Sequence, residues 1–283
     1  MAALLREAMK VPISNRLLLC AEFVPRGSRA ADIGTDHAYL PVALVLSGKC
    51  PRAVVSDLRE MPLENARQAI RRYHLEDRIV ACLSDGLDEI APDWAQDIII
   101  AGMGGELIAA ILARAPWLRN EGKRLILQPM THAEDVRRFL YKNGFSILKE
   151  NAVQDGSHFY IALCAQYTGA PTACSPGLPY LGRLPECHSE AALIYLNRQH
   201  QRLLTRVEAL RRSRRSQQEC ARLEAAAAAA RAAGHAQGFC TLCCRLMVNA
   251  PCLQAQRPLT SPVSLSVGLG GIHPGQVQRP VFK

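Results

Sequence analysis

Short apolar runs alternate with amphipathic stretches through the first two-thirds of the chain, with turn residues at each change. Residues 30–34, 53–58, 78–83, 97–102 and 124–128 read as strands. Within the fourth, Ile98, Ile99 and Ile100 form a continuous apolar run, the pattern of a strand buried on both faces. Helices are expected over 38–47, 63–73, 105–114 and 134–142, the last stopped by Asn143 and Gly144. Alternation of this kind predicts an α/β fold with a doubly wound, mostly parallel sheet. The pattern then changes. Residues 145–153 and 158–167 are two strands separated only by Gln154-Asp155-Gly156-Ser157, a loop short enough to require an antiparallel hairpin. The expected sheet therefore has seven strands.

From 168 to 185 the chain is rich in Pro and Gly and reads as a linker. Beyond it, Leu193, Leu196, His200, Leu203, Val207 and Leu210 recur at spacings of three and four, the seam of a coiled coil. A turn is expected within 211–216, followed by an alanine-rich helix over 217–233 that folds back on the first. After Gly234 the periodicity is lost. The expected organisation is a Rossmann-like domain over 1–168, a linker over 169–187, a helical coiled coil over 188–233 and a tail of low order over 234–283.

Charge sharpens this division. The formal net charge of +9 lies wholly outside the α/β unit: residues 1–187 carry 21 basic and 21 acidic side chains, leaving 13 basic and 4 acidic beyond. A basic appendage on a neutral body points to a polyanion, nucleic acid first. Arg211, Arg212, Arg214 and Arg215 are the densest part of it. The eleven cysteines are odd in number and mostly scattered, as reduced core thiols are. Cys240, Cys243, Cys244 and Cys252, with His235 nearby, lack a second pair at zinc-ribbon spacing, so no metal is assigned. The apolar runs are too short to span a bilayer and the N-terminus lacks a signal-peptide layout, so a cytoplasmic protein is expected. No obligate protein partner is evident.

Candidate chemistry clusters at the strand ends, where open α/β sheets bind ligands. Asp32-Ile33-Gly34 closes the first strand: Gly34 lets the backbone approach a ligand, and the carboxylates of Asp32 and Asp36 suit an ammonium or sulfonium group. A dinucleotide would need a G-x-G-x-x-G turn, but Asp36 and Tyr39 occupy the later glycine positions. The alternative is a plain turn capped by Asp36. Asp57, followed by Leu58, ends the second strand and suits the two hydroxyls of a ribose. Asp85 and Gly86 follow the third strand, where they could meet an adenine ring. Ala101-Gly102-Met103-Gly104-Gly105 makes a bare mouth after the fourth strand.

A parallel sheet finished by one hairpin is how class I methyltransferases end their fold. Residues 31–41 and 101–109, Leu125-Ile126-Leu127-Gln128-Pro129, His132 and residues 137–140 resemble the TrmK-type bacterial tRNA adenine-N1 methyltransferases that act on adenine 22. The likeness covers roughly residues 12–165. It implies S-adenosyl-L-methionine as cofactor, held by Asp32, Gly34, Asp57, Leu58, Asp85, Gly86, Ala101, Gly102 and Met103, and tRNA as partner. It also implies that Asp36 is the catalytic carboxylate, with His37 and Tyr39 orienting the base. Rival readings are a methyltransferase acting on a small molecule or another RNA, its coiled coil serving dimerisation, and an RNA-binding module with a degenerate pocket.

Overall fold

The computed structural model describes residues 11–213 and 216–248, with side chains through residue 236. Helix α1 (Asn15–Phe23) precedes β1 (Ala30–Ile33), α2 (Tyr39–Leu46), β2 (Ala53–Asp57), α3 (Glu60–Arg72) and β3 (Ile79–Leu83). Then come β4 (Asp97–Gly104), α4 (Gly105–Arg114), β5 (Arg124–Thr131), α5 (Ala133–Lys142), β6 (Phe145–Asp155) and β7 (His158–Tyr167). The strands form one sheet in the order β3-β2-β1-β4-β5-β7-β6. Pairing is parallel from β3 to β5, and β7 runs antiparallel to both β5 and β6. The expected seven-stranded sheet with its terminal hairpin is therefore present.

Alternation within the strands divides the core into two layers. Ile98 and Ile100 face α4, α5 and the C-terminal helices, while Ile99 faces α1, α2 and α3. Helix α2 is apolar almost throughout, with Leu40 to Val45 all buried, as a helix enclosed on every side must be. Only a 3₁₀ turn at Pro92–Trp94 connects β3 to β4, so the alternation of strand and helix lapses there.

Two expectations need correction. Residues 169–187 are not a free linker: they contain α6 (Leu178–Leu181) and a 3₁₀ turn at Leu184–Glu186, and Tyr180 and Leu184 are fully buried. Proline and glycine hid this, because their punctuation masks four apolar side chains that dock on α5 and β6. A buried ion pair fixes the docking. Arg137 of α5 donates from Nε and Nη2 to Glu150 Oε1 at 3.0 and 2.6 Å, and from Nη1 to the carbonyls of Pro179 and Tyr180 at 2.9 and 3.1 Å. Glu150 Oε2 accepts from the Arg183 N–H at 2.7 Å, and a Cβ on Gly182, whose φ is +55°, would collide with that oxygen.

The second correction concerns the last helix. Helices α7 (Glu190–Ser213) and α8 (Gln217–Val248) pack antiparallel, but α8 continues well past Ala233 into the stretch expected to be of low order. Gly234 does not end it, because that position faces Asn197 of α7 so closely that a Cβ would lie 2.7 Å from its Oδ1. Of the turn expected within 211–216, Arg211 to Ser213 are still helical, and the next helix begins at Gln217. Ser216 caps α8 by accepting the Glu219 N–H at 3.2 Å. Of the seam positions, Leu196, Leu203 and Val207 are buried, joined by Ala192, Tyr195 and Gln199 where α7 meets the sheet domain. Arg214, Arg215 and Cys252 lie outside the described residues, as do the side chains of Cys240, Cys243 and Cys244. Among the described residues no helix is long and apolar enough to cross a membrane.

Candidate active site

A cleft of about 250 Å³ opens at the carboxyl ends of β1 and β4. Asp32, Gly34, Asp36, His37, Tyr39 and Ala101, six of the residues singled out in the sequence, line it together. Its backbone frame is set by β2, whose Ser56 carbonyl accepts the N–H groups of Gly34 and Thr35 at 2.7 and 2.9 Å. Gly34 has φ +75°, and a Cβ there would run into the Met103 methyl group. Only glycine fits that turn.

Thr35, and not Asp36, closes the turn into α2, since its Oγ1 accepts the Ala38 N–H at 3.1 Å. Asp36 is thereby released from capping. Its side chain is 71% exposed on the cleft wall, and its Oδ2 lies 3.3 Å from His37 Nε2. His37 in turn stacks on Tyr39, with ring centroids 5.2 Å apart and planes 18° from parallel. Carboxylate, imidazole and phenol thus form one continuous wall.

Asp32 is different in kind. Burial pushes its carboxyl up to about 6, against the opposing effects of the Thr35 hydroxyl and the Arg16 guanidinium. A carboxyl whose folded value is raised contributes stability below its unfolded value of 3.8, and that contribution is lost as pH rises through about 6. Asp32→Asn is therefore expected to stabilise the ligand-free protein at pH 7 by about 1–3 kcal/mol, with little gain at pH 4. Urea unfolding at the two pH values tests this; an equal change at both would deny that Asp32 carries a buried charge. The same substitution weakens binding of any cationic ligand.

The remaining predicted cofactor contacts follow the same sheet edge without lining this cleft, and the described ones among the predicted RNA contacts, Arg211 and Arg212, lie on the arm. Asp57 accepts the Arg59 N–H at 2.8 Å, and its carbonyl accepts the Ser84 N–H at 3.0 Å, so β2 and β3 end in step beside exposed Leu58. Asp85 already has a partner: Arg114 of α4 lies 2.9 Å from its Oδ1 and holds the carboxyl below its ordinary range. Gly86, with φ +62°, presses on Ile111 and Arg114. Gly102 and Met103 sit where the β4–β5 register shifts, a bulge that widens the mouth. Arg211 is committed to Glu224 of α8 at 2.6 Å, and Arg212 lies 3.8 Å from Glu208.

Sequence reading missed the α1 side of the cleft. Pro12, Ser14, Arg16 and Leu17 also line it. The start of α1 is held by the β6–β7 hairpin, where Asp155 accepts the N–H groups of Asn15 and Arg16 at 3.3 and 3.5 Å and the Gln154 carbonyl accepts Asn15 Nδ2 at 2.8 Å. Arg16 Nη1 donates to Oε1 of fully buried Gln128 at 2.9 Å, and the same oxygen accepts the Gly102 N–H at 3.1 Å. Nothing local to Arg16 in the sequence signals this pairing.

Comparison with known proteins places this architecture. The methyltransferase domain family matches residues 13–163. The tRNA (adenine(22)-N(1))-methyltransferase of Bacillus subtilis is 37% identical over 157 residues, 56% of this chain and 66% of the relative. That sequence match spans just under two thirds of the relative's length. Superposition reaches further: the crystal structure of the B. subtilis TrmK enzyme aligns with a TM-score of 0.67 at 30% identity, covering 80% of this chain and 99% of that one. Streptococcus pneumoniae Sp1610 in complex with S-adenosyl-L-methionine aligns at 0.68 and 30% identity, covering 79% and 100%. The matched domain occupies more than half of the sequence, and the B. subtilis TrmK structure, 30% identical, is covered over 99% of its length, so the chain belongs to the TrmK-type class I methyltransferases.

Proposed function

We propose that this protein transfers a methyl group from S-adenosyl-L-methionine to N1 of adenine 22 in tRNA. The observation that carries the reading is the Asp36–His37–Tyr39 wall beside the Gly34 turn, in a chain that over 157 residues is 37% identical to an enzyme of that name. The residues fit the cofactor: Gly34 provides close backbone approach, Asp32 a buried negative charge, and Ser14 a buried hydroxyl for which the structure records no hydrogen-bond partner. When bound, S-adenosyl-L-methionine supplies a methyl carbon on a sulfonium, open to direct displacement by a lone pair. Asp57 would receive the ribose hydroxyls, and Asp85 and Gly86 would border the adenine, with Arg114 yielding part of its hold on Asp85.

The target N1 is already nucleophilic, so the protein's work is alignment and charge. Orienting two reactants can supply on the order of 7–11 kcal/mol. Asp36 is suited to accept a hydrogen bond from the N6 amine and so oppose the positive charge that develops on the ring. His37, braced between Asp36 and Tyr39, would set the plane of the base. The base must leave its stack, at a cost of a few kcal/mol, and basic residues of the arm outside the Arg211–Glu224 pair would help through phosphate contacts. A cytoplasmic setting suits the seven cysteines with described side chains, all of them outside disulfides.

Incubation of the purified chain with unmodified tRNA and S-adenosyl-L-methionine, followed by nucleoside mass spectrometry, should give 1-methyladenosine. A transcript carrying guanine at position 22 should remain unlabelled. Equal labelling of both transcripts would refute the assigned target, and methyl transfer without RNA would favour a small-molecule acceptor.

A further inference from the structure

Because only the 3₁₀ turn at Pro92–Trp94 joins β3 to β4, one face of the sheet stays open beside it. Val80 of β3 is 57% exposed there, and Trp94 is 43% exposed. Together with Val54, which pairs with Val80 across β2 and β3, they form the apolar half of a cavity of about 330 Å³. It lies at the amino-terminal edge of the sheet, opposite the cleft at the carboxyl ends of β1 and β4.

A row of arginines supplies the other half. Arg29, Arg52 and Arg78 each stand one residue before β1, β2 and β3, and all three line the cavity. Ala30 pairs with Ala53 and Ala53 with Ile79, so the register sets the arginines side by side on strands about 4.8 Å apart. Among the described residues no carboxylate stands within ion-pair distance of any of the three. Asp77 is the one carboxylate of the lining, against three guanidiniums. The frame is firm. Arg29 donates its backbone N–H to Gln96 Oε1 at 2.9 Å, and its carbonyl accepts the N–H groups of Gln96 and Asp97 at 2.9 and 3.1 Å. Arg78 donates from Nε to the Pro51 carbonyl at 3.1 Å and from Nη2 to those of Val45 and Cys50, both at 3.3 Å. The turn that carries Trp94 is pinned by Lys123, whose ammonium donates to the Ala95 carbonyl at 2.7 Å and to that of Pro92.

Guanidiniums on neighbouring strands suit the oxygens of one phosphate, which two of them can grip together. An indole beside two valines suits a flat ring. An inorganic anion would leave the apolar half empty, and an uncharged ring would leave the arginines unmet. The volume is at the lower end for small-molecule sites, about 300–1,000 Å³, and so takes one compact ligand. We infer that this cavity is a second ligand site, separate from the cleft, that binds a free nucleoside monophosphate. Arg29 and Arg52 hold the phosphate, Trp94 stacks on the base above Val54 and Val80, and Arg78, tied to its carbonyls, adds to the positive field.

Guanosine 5′-monophosphate, guanosine and inorganic phosphate separate these contributions. The chain has two tryptophans, so Trp117→Phe leaves Trp94 as the only indole reporter. In that background guanosine 5′-monophosphate should quench the Trp94 emission in a saturable titration. Calorimetry of the wild type should show it binding about tenfold or more tighter than guanosine, as for charge-assisted contacts to phosphate. Arg29→Gln with Arg52→Gln should weaken the nucleotide about tenfold or more and leave guanosine unchanged. Trp94→Leu should weaken nucleotide and nucleoside alike, about fivefold or more, with inorganic phosphate unchanged. All three side chains are exposed, so these variants should melt at the wild-type temperature. Absence of Trp94 quenching overturns the assignment, as does nucleotide affinity retained in the double arginine variant. Inorganic phosphate binding as tightly as the nucleotide would reduce the cavity to a bare anion site and overturn it too. So would displacement of the nucleotide by excess S-adenosyl-L-homocysteine, which would place it in the cleft.

Discussion

Asp36→Ala should lower methyl transfer to tRNA by about 10²–10³-fold, the usual consequence of removing one group that stabilises charge developing in a transition state. Affinity for S-adenosyl-L-methionine should change by less than about threefold. The separation is expected because Asp36 stands at the exposed rim of the cleft with His37, while Asp32, Gly34 and Arg16 form its floor and far wall. Nothing in the fold depends on Asp36, since Thr35 makes the turn-closing hydrogen bond to Ala38. Asp36→Asn should fall between the two, because an amide oxygen still accepts from the N6 amine but brings no negative charge. Single-turnover rates with saturating tRNA would decide the matter. Unchanged turnover in Asp36→Ala would remove this carboxylate from the chemistry.

Arg137→Met should cost about 3–5 kcal/mol of stability, because it strands Glu150 as an unpaired charge in the interior. Both side chains are 0% exposed, and the guanidinium also satisfies the Pro179 and Tyr180 carbonyls. The paired change Arg137→Met with Glu150→Leu should recover much of the loss, since a buried ion pair replaced by apolar groups is often tolerated. Urea denaturation of both variants tests this. If the single variant unfolds at the wild-type midpoint, the pair carries no structural burden. A partly folded single variant should keep its sheet and loosen the arm first, because residues 178–184 attach the arm through these contacts.

Much of the fold was legible because its signals are local. Strands β1, β2 and β4 announce themselves as apolar runs ending at Gly or Asp, and the Asp-Gly loop between β6 and β7 admits only a hairpin. The Asp36 side of the site was legible for the same reason, since the residues from Asp32 to Tyr39 are contiguous. What escaped depends on distant partners. Helix α1 was not recognised: its core Leu17 to Ala21 is one unbroken apolar run without helical spacing, and Ser14 makes no capping bond. The cap comes from Asp155, 140 residues away. Arg16 was invisible for a related reason, because its role rests on Gln128, 112 residues distant. Asp85 could be placed at the end of β3, but its engagement by Arg114, on a helix after the next strand, could not. Residues 169–187 misled through composition: a glycine that reads as slack, Gly182, is required by the close approach of Glu150.

The grip of the β6–β7 hairpin on the start of α1 also orders events in time. Residues near Asn15 emerge from the ribosome first and wait for residue 155, an interval of roughly 7–28 s at ordinary rates of synthesis. Until then the wall that carries Ser14 and Arg16 has no anchor. A nascent chain can assemble the central strands early, but the pocket is finished from its two ends at once, so ligand recognition becomes a property of the nearly complete domain and not of any growing portion of it.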